Sequence, residues 1–207
     1  LSKSTTESAG KTERERERGS IMQQGSVEWL LMRKNYLGAS DAPVVMGVSP
    51  WKTKYELWEE KLGMADEASG NSATEYGKRM EPVAIEAYEE ETGSIVCTSP
   101  ENTLVYHKEI PFMMASLDGW CIDTEIPLEI KNVNAQDHET ALQGRVPAKY
   151  YPQVMHQLAC TGSDVLHYYS YRDGQGALVV VERDEDYISK LYEEEKKFWH
   201  HVQELKE

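Results

Sequence analysis

Residues 110–133, IPFMMASLDGWCIDTEIPLEIKNV, read as two short apolar strands about a polar turn, and this pairing constrains the fold more than any other segment. A hairpin centred between Asp123 and Thr124 sets Asp118 opposite Glu129, because both lie equally far from that centre. Directly opposed strand residues hold their Cβ atoms roughly 4.5–5.5 Å apart, so both carboxylates can reach one divalent cation. Side chains alternate along a strand, which puts Lys131 on the same face as Glu129. Two hard oxygen ligands beside an ammonium suit Mg²⁺ or Mn²⁺ rather than zinc. A lysine so placed can polarise an attacking water or stabilise an anionic transition state. The arrangement looks like a metal-dependent phosphodiesterase centre. A solvated Glu/Lys pair on a strand would give the same short pattern. The apolar setting of Met113, Met114, Leu117, Trp120, Ile122, Leu128 and Ile130 favours a site built into a core sheet.

The remaining chain supplies the scaffold. Ser26 begins a short helix over 26–34, Ser40 caps another over 41–47 with Pro43 in its first turn, and Thr53 caps a third over 54–62 closed by Gly63. A longer helix over 74–92 carries the stripe Met80, Val83, Ala84, Ala87 and Tyr88 and stops at Gly93. Strands are expected at 95–98, 103–107, 112–122 and 127–133, then a helix over 149–161, strands at 165–172 and 177–183, and a charged helix from 185 onward. This order predicts an α/β (α+β) fold, a central mixed β-sheet flanked by helices. Glu81 stands on the stripe side of the long helix, as either a solvated glutamate or a third acid aimed at the cation. Gln153 lies four residues before Gln157 on one helix face.

Composition bounds the alternatives. The 207 residues suffice for one domain with a real core, and no run of about 18 apolar residues offers a membrane span. Residues 1–21 are polar, have the character of an appended tag or leader, and are set apart from a single domain over 22–207. Cys97, Cys121 and Cys160 show no C-x-x-C spacing; this fits core cysteines in a reducing cytoplasm and argues against zinc or an iron–sulfur cluster. A net charge of −14 weighs mildly against nucleic acid. Acid collects in 56–67, 86–91 and 182–195, whereas Arg33, Lys34, Lys52, Lys54, Lys78, Arg79, Arg145 and Lys149 suggest a basic cleft within an acidic exterior.

The ordered set Leu37-Gly38-Ala39-Ser40-Asp41, Gly77-x3-Glu81, Asp118-Gly119, Glu129-Ile130-Lys131 and Tyr150-x2-Gln153 resembles the phage lambda exonuclease, or YqaJ-type viral recombinase, group of the PD-(D/E)xK nuclease superfamily. The likeness runs from about Trp29 to the C-terminal helix and includes VVVERDEDY at 179–187. It implies a Mg²⁺-dependent 5′→3′ exonuclease acting on 5′-phosphorylated ends of double-stranded DNA and leaving a 3′ single-stranded tail for phage-type recombination. It also implies a ring-shaped homotrimer and a single-strand annealing protein as partner. Asp118, Glu129 and the Ile130 carbonyl match the family's metal ligands, Lys131 its catalytic lysine, Glu81 its helix-borne acid, and Gln153 the glutamine of its last motif. Arg33 and Ser40 match residues that hold the 5′-phosphate, and Tyr150 falls among the DNA-facing positions. The basic insertion that follows the serine helix in the family's prototype is short here, VSPWKTKYE, leaving Lys52 or Lys54 to substitute. A site-specific or structure-specific endonuclease on the same core, a non-catalytic DNA-end-binding module and a purely structural or interaction protein are the competing functions.

Overall fold

The apolar run 113–121 does not form one strand. In the computed structural model, which describes residues 26–65 and 72–206, β4 (Met113–Ser116) and β5 (Gly119–Cys121) belong to different sheets, and the chain passes between them at Leu117-Asp118. Strand β4 lies between β1 (Leu37–Gly38, parallel) and β3 (Leu104–Tyr106, antiparallel). Strand β5 pairs antiparallel with β2 (Val96–Cys97) and with β6 (Ile126–Lys131). Strands β7 (Val165–Arg172) and β8 (Gln175–Glu182) complete a five-stranded sheet of order β2-β5-β6-β7-β8, with β6 and β7 parallel. The expected single central sheet is therefore two mixed sheets, although the mixed α/β class stands.

Gly119 fixes this geometry. A Cβ there would come within 2.4 Å of a methyl carbon of Val96, so only glycine lets β2 and β5 close beside Asp118. The hairpin itself has the expected register: Gly119 faces Leu128 and Cys121 faces Ile126 around a turn in which Glu125 adopts φ 58°. Asp123 at the turn accepts a hydrogen bond from the Ile95 amide at 3.0 Å.

Helices cover the sheets. They are α1 (Val27–Arg33), α2 (Ala42–Val45), α3 (Lys54–Leu62), α4 (Ser72–Thr92), α5 (Pro100–Thr103), α6 (Ala135–Leu142), α7 (Tyr151–Thr161) and α8 (Glu185–Glu204). Ser26 caps α1, Thr53 forms a capping box with Glu56 on α3, and Gly63 ends α3 at φ 72°. Ser40 does not cap α2: a 3₁₀ turn over Ala39–Asp41 precedes that helix, and the serine side chain faces Arg33 instead. Helices α5 and α6 are additions to the sequence expectation.

The α6–α7 pair forms the crossover between parallel β6 and β7. From Pro152 to Cys160, α7 is buried on all sides, among them β4, β7, α2 and α8. Helix α8 buries Ile188, Leu191, Phe198, Trp199 and Val202 along one stripe, each full apolar burial contributing about 1.5–3 kcal/mol. Cys121 and Cys160 lie in the core, whereas Cys97 is only half-buried. Among the described residues no helix is long and apolar enough to cross a membrane. The leader expected over 1–21 falls outside the described residues.

Candidate active site

Glu129 is the hub of the site. It sits on β6 with 1 % of its surface exposed, and each of its oxygens has a donor from α7. Gln153 donates to Oε1 at 2.5 Å and Gln157 donates to Oε2. The two glutamines stand one turn apart on the buried face of α7, so one helix holds both ends of the carboxylate. The Lys131 ammonium, two residues along β6, donates to Oε1 as well. A buried carboxylate surrounded by three donors has its orientation fixed by the fold.

Asp118 leaves β4 just before β5 begins, and the Ile130 backbone N–H donates to its Oδ2 at 2.8 Å. Expected across the hairpin from Glu129, Asp118 is tied by this bond to the neighbouring strand residue. Burial raises the Asp118 carboxyl well above the usual carboxylate range; Glu129 and then Glu81 add to the rise, while Lys131 and the Ile130 amide oppose it. Glu81, half-buried on α4, is raised by burial and by Glu129. On Lys131 burial acts downward, but the Glu129 and Asp118 charges outweigh it and keep the ammonium protonated. Three acids therefore share Lys131, with Lys78 acting on Glu81 alone. Their charges are under-compensated, which is the electrostatic condition of a cation site.

Among the described residues no three His, Cys, Asp or Glu side chains form a ready-made cage. The fit is to a hard cation that keeps several waters and takes one or two carboxylates, as Mg²⁺ does. Asp118 and Glu129 are the side chains that suit it, with Glu81 near enough to feel their charge.

Tyr150, at the start of α7, lies 5.5 Å from the Lys131 ammonium, ring face toward charge. The Arg33–Ser40 pair also meets: Arg33 Nη2 donates to Ser40 Oγ at 3.0 Å. The same guanidinium pairs with Asp41 Oδ1 at 3.1 Å and lies 4.8 Å from the Trp29 ring centre. Asp41 is buried, accepts from the Gly38 amide at 3.0 Å and from Lys61 at 2.7 Å, and is held well below the usual carboxylate range; burial opposes this, but Lys61 and Arg33 outweigh it. Parallel β1 and β4 run in register, Gly38 beside Met114, so the chain leaves both strands, toward the Ser40 turn and toward Asp118, at the same end of that sheet. Lys52 and Lys54 are committed to acids, Glu60 at 2.6 Å and Glu194 at 3.8 Å.

Asp41, Lys61 and Gln157 carry parts of this architecture that the sequence reading did not assign. Lys61 had a signal, since it lies four residues after fully buried Leu57 on the same helix face. Of the basic residues expected to line a cleft, Arg33, Lys52, Lys54 and Lys149 are paired with carboxylates.

A family model for the YqaJ-like viral recombinase domain matches residues 28–164, well over half of the chain. The chain belongs to the YqaJ-like viral recombinase family. The YqaJ protein of Bacillus subtilis strain 168, itself uncharacterised, is 28 % identical over 182 residues, covering 83 % of this chain and 54 % of that protein. The chain thus spans about half the length of the curated relative it matches. Among solved structures, the alkaline exonuclease LHK-Exo of Laribacter hongkongensis superposes with TM-score 0.73 at 31 % identity, over 86 % of this chain and 93 % of that one. A phage-related exonuclease from Haemophilus somnus 129PT matches with TM-score 0.64 at 14 % identity, over 82 % and 94 % of the two chains, and supports the fold alone. The mixed α/β class expected of this YqaJ-like domain stands, in two sheets rather than one, and the fold is of the nuclease type seen in the alkaline exonuclease.

Proposed function

We propose that this YqaJ-like domain is a Mg²⁺-dependent exonuclease that digests one strand of linear double-stranded DNA in the 5′→3′ direction from phosphorylated ends. The observation that carries the reading is the buried Glu129 carboxylate, fixed by Lys131, Gln153 and Gln157, with Asp118 tied to the same strand. A likeness of 31 % identity to an alkaline exonuclease, also solved in complex with dAMP at 30 % identity, agrees with it.

Asp118 and Glu129, with the Ile130 carbonyl, would hold the cation, and Mn²⁺ would substitute for Mg²⁺. When bound, the cation supplies Lewis-acid neutralisation of the scissile phosphate and a water of lowered pKa. Lys131, kept charged by its acidic neighbours, offers a fixed donor to the water or to the phosphate oxygens as negative charge develops there. Glu129 anchors that lysine, and the two glutamines anchor Glu129. Glu81, which feels the Glu129 charge, would add negative charge to the same site. Arg33 and Ser40 form a donor pair for a terminal phosphate, with Lys52 and Lys54 the nearby alternatives if their acid partners yield. A ring-shaped homotrimer and a single-strand annealing protein as recombination partner belong to the same proposal, as does a cytoplasmic setting.

The test is linear duplex labelled at either its 5′ or its 3′ end, alongside closed circular duplex, incubated in Mg²⁺. Early release of the 5′ label as mononucleotide, delayed loss of the 3′ label and an intact circle support the proposal. Cutting of the circle would instead favour a structure-specific or site-specific endonuclease on this core. Binding to ends without any cutting would favour a non-catalytic module.

A further inference from the structure

An aromatic ladder runs from the sheet beside Glu129 to the surface. Tyr168, fully buried on β7, pairs in register with Glu129. The Tyr150 ring lies 6.3 Å from it at an interplanar angle of 33°. Trp51, in the loop before α3, stacks on Tyr150 with centroids 5.7 Å apart at 29°. This outermost rung is 61 % exposed, although an indole of its size is ordinarily buried by folding.

Charge flanks the ladder on the side that matters. Lys131 lies 5.5 Å from the Tyr150 ring, and Lys149 lies 5.3 Å from Tyr150 and 5.2 Å from Trp51. Lys149 is held there by Asp137 at 2.6 Å, itself hydrogen-bonded to Asn134, the cap of α6. An exposed planar ring beside the Lys149 ammonium, with Lys131 one ring further in, complements a nucleotide: the π-face stacks the base and the ammonium groups attract its phosphodiester. A protein partner would be expected to meet a broader apolar patch than one indole with a lysine against it.

Building on the exonuclease reading, we infer that Trp51 is a stacking residue for an unpaired nucleobase of the strand being digested, presented one ring away from the Lys131 site. A base seated on Trp51 leaves the duplex stack, and Tyr150 and Lys149 hold the indole at a fixed angle to receive it. Trp51 is a positioning residue in this account, since it touches the nucleotide but not the reacting atoms.

The experiment uses the full chain as wild type, Trp51→Ala and Trp51→Phe, with 5′-phosphorylated linear duplexes. In these duplexes the first, second or third nucleotide from the 5′ end is intact or replaced by an abasic residue. Two readouts are taken: nucleotide release in Mg²⁺, and binding by fluorescence anisotropy in chelator. Base-to-aromatic stacking predicts that, at one of the three positions, removing the base slows or weakens wild type by about ten-fold. Trp51→Ala should lose that base-to-abasic difference, and Trp51→Phe should largely keep it. A wild type indifferent to the missing base at all three positions, or Trp51→Ala retaining the full difference, overturns the inference. Should wild type cut none of the duplexes, the exonuclease reading fails by itself, and the anisotropy comparison still decides for or against the stacking role by the same criterion.

Discussion

Gln157, one helical turn beyond Gln153, donates its side-chain amide to the Glu129 oxygen that Gln153 does not reach. Gln157 is wholly buried, so this bond has no water to replace it. Gln157→Leu should leave that oxygen without its α7 donor, at a cost of about 1–3 kcal/mol. For a domain of this size, each kcal/mol lowers the melting temperature by roughly 2–4 °C. Gln157→Glu should be worse, because it puts a second carboxylate against the first. Calorimetric scans of the two variants check the order; equal melting temperatures would show that Gln157 does not hold Glu129.

Asp118, Glu129 and Glu81 repel one another when no cation lies among them. Asp118→Asn removes, with little change of shape, the acid whose charged form the cation-free site disfavours, so the melting temperature in chelator should rise by a few degrees, most at alkaline pH, while nuclease activity is lost. Mg²⁺ should then stabilise wild type by mass action and stabilise the variant much less. Thermal scans with and without Mg²⁺ check this; a variant that gains as much from Mg²⁺ as wild type would remove Asp118 from the cation site.

The register of the β5–β6 hairpin was legible because every positional pair around Asp123-Thr124 has the same sum, and the observed pairs obey it. The break at Leu117-Asp118 was not legible, since both halves are apolar and only tertiary pairing sends them to different sheets. Helix α6 was missed for a related reason. Its buried face is Asp137, His138 and Ala141, a mostly polar set that hydrophobic periodicity does not register. Asp41 and Lys61 escaped in the same way: a pattern reading assigns charges to the surface, whereas this pair is buried together. The residues bearing the expected chemistry, by contrast, sit at motif spacings that survive without any knowledge of burial.

His156 and Glu195 are both fully buried and meet at 2.7 Å, while the other ring nitrogen of His156 lies 2.9 Å from the Met114 carbonyl. Both histidine partners are acceptors, so the imidazolium is the form that suits the site. Burial alone would lower the His156 pKa, but Glu195 outweighs it, with Cys160 adding, and raises it well above the ordinary 6.5. The nearby His107 is pushed the other way, its pKa lowered by burial and then by His156. A raised folded-state value gives stability that is fully present below 6.5 and lost as pH climbs through the raised value. The melting temperature should therefore fall on the alkaline side, and the fall should flatten in a His156→Gln/Glu195→Gln double variant. Glu195→Ala alone strands the buried cation and should cost about 3–5 kcal/mol. A wild-type melting temperature that rises from neutral to alkaline pH would contradict the pairing.

Arg33 binds Ser40 and Asp41 together, and Asp41 keeps Lys61 if the arginine is removed. Arg33→Ala should thus fold, while losing a charge-assisted contact worth about 1.5–3 kcal/mol to a terminal phosphate. The ratio of initial rates on 5′-phosphate and 5′-hydroxyl duplex should fall by roughly ten- to a hundred-fold. An unchanged ratio would move end recognition elsewhere, with Lys52, Lys54 and Lys78 next in line.

On the proposed function, Asp118, Glu129 and Lys131 form one cation-dependent phosphodiesterase centre. The most direct measurement is nucleotide release from a 5′-phosphorylated linear duplex by wild type, Asp118→Ala, Glu129→Ala and Lys131→Ala, in Mg²⁺ and in chelator, with duplex binding followed in parallel. Wild type should act in Mg²⁺ and stop in chelator. The two carboxylate variants should release nothing while still binding DNA, and Lys131→Ala should be slower by about 10²–10³-fold, the effect of deleting one preorganised donor. Full wild-type activity in chelator, or substantial release by Asp118→Ala in Mg²⁺, would contradict it.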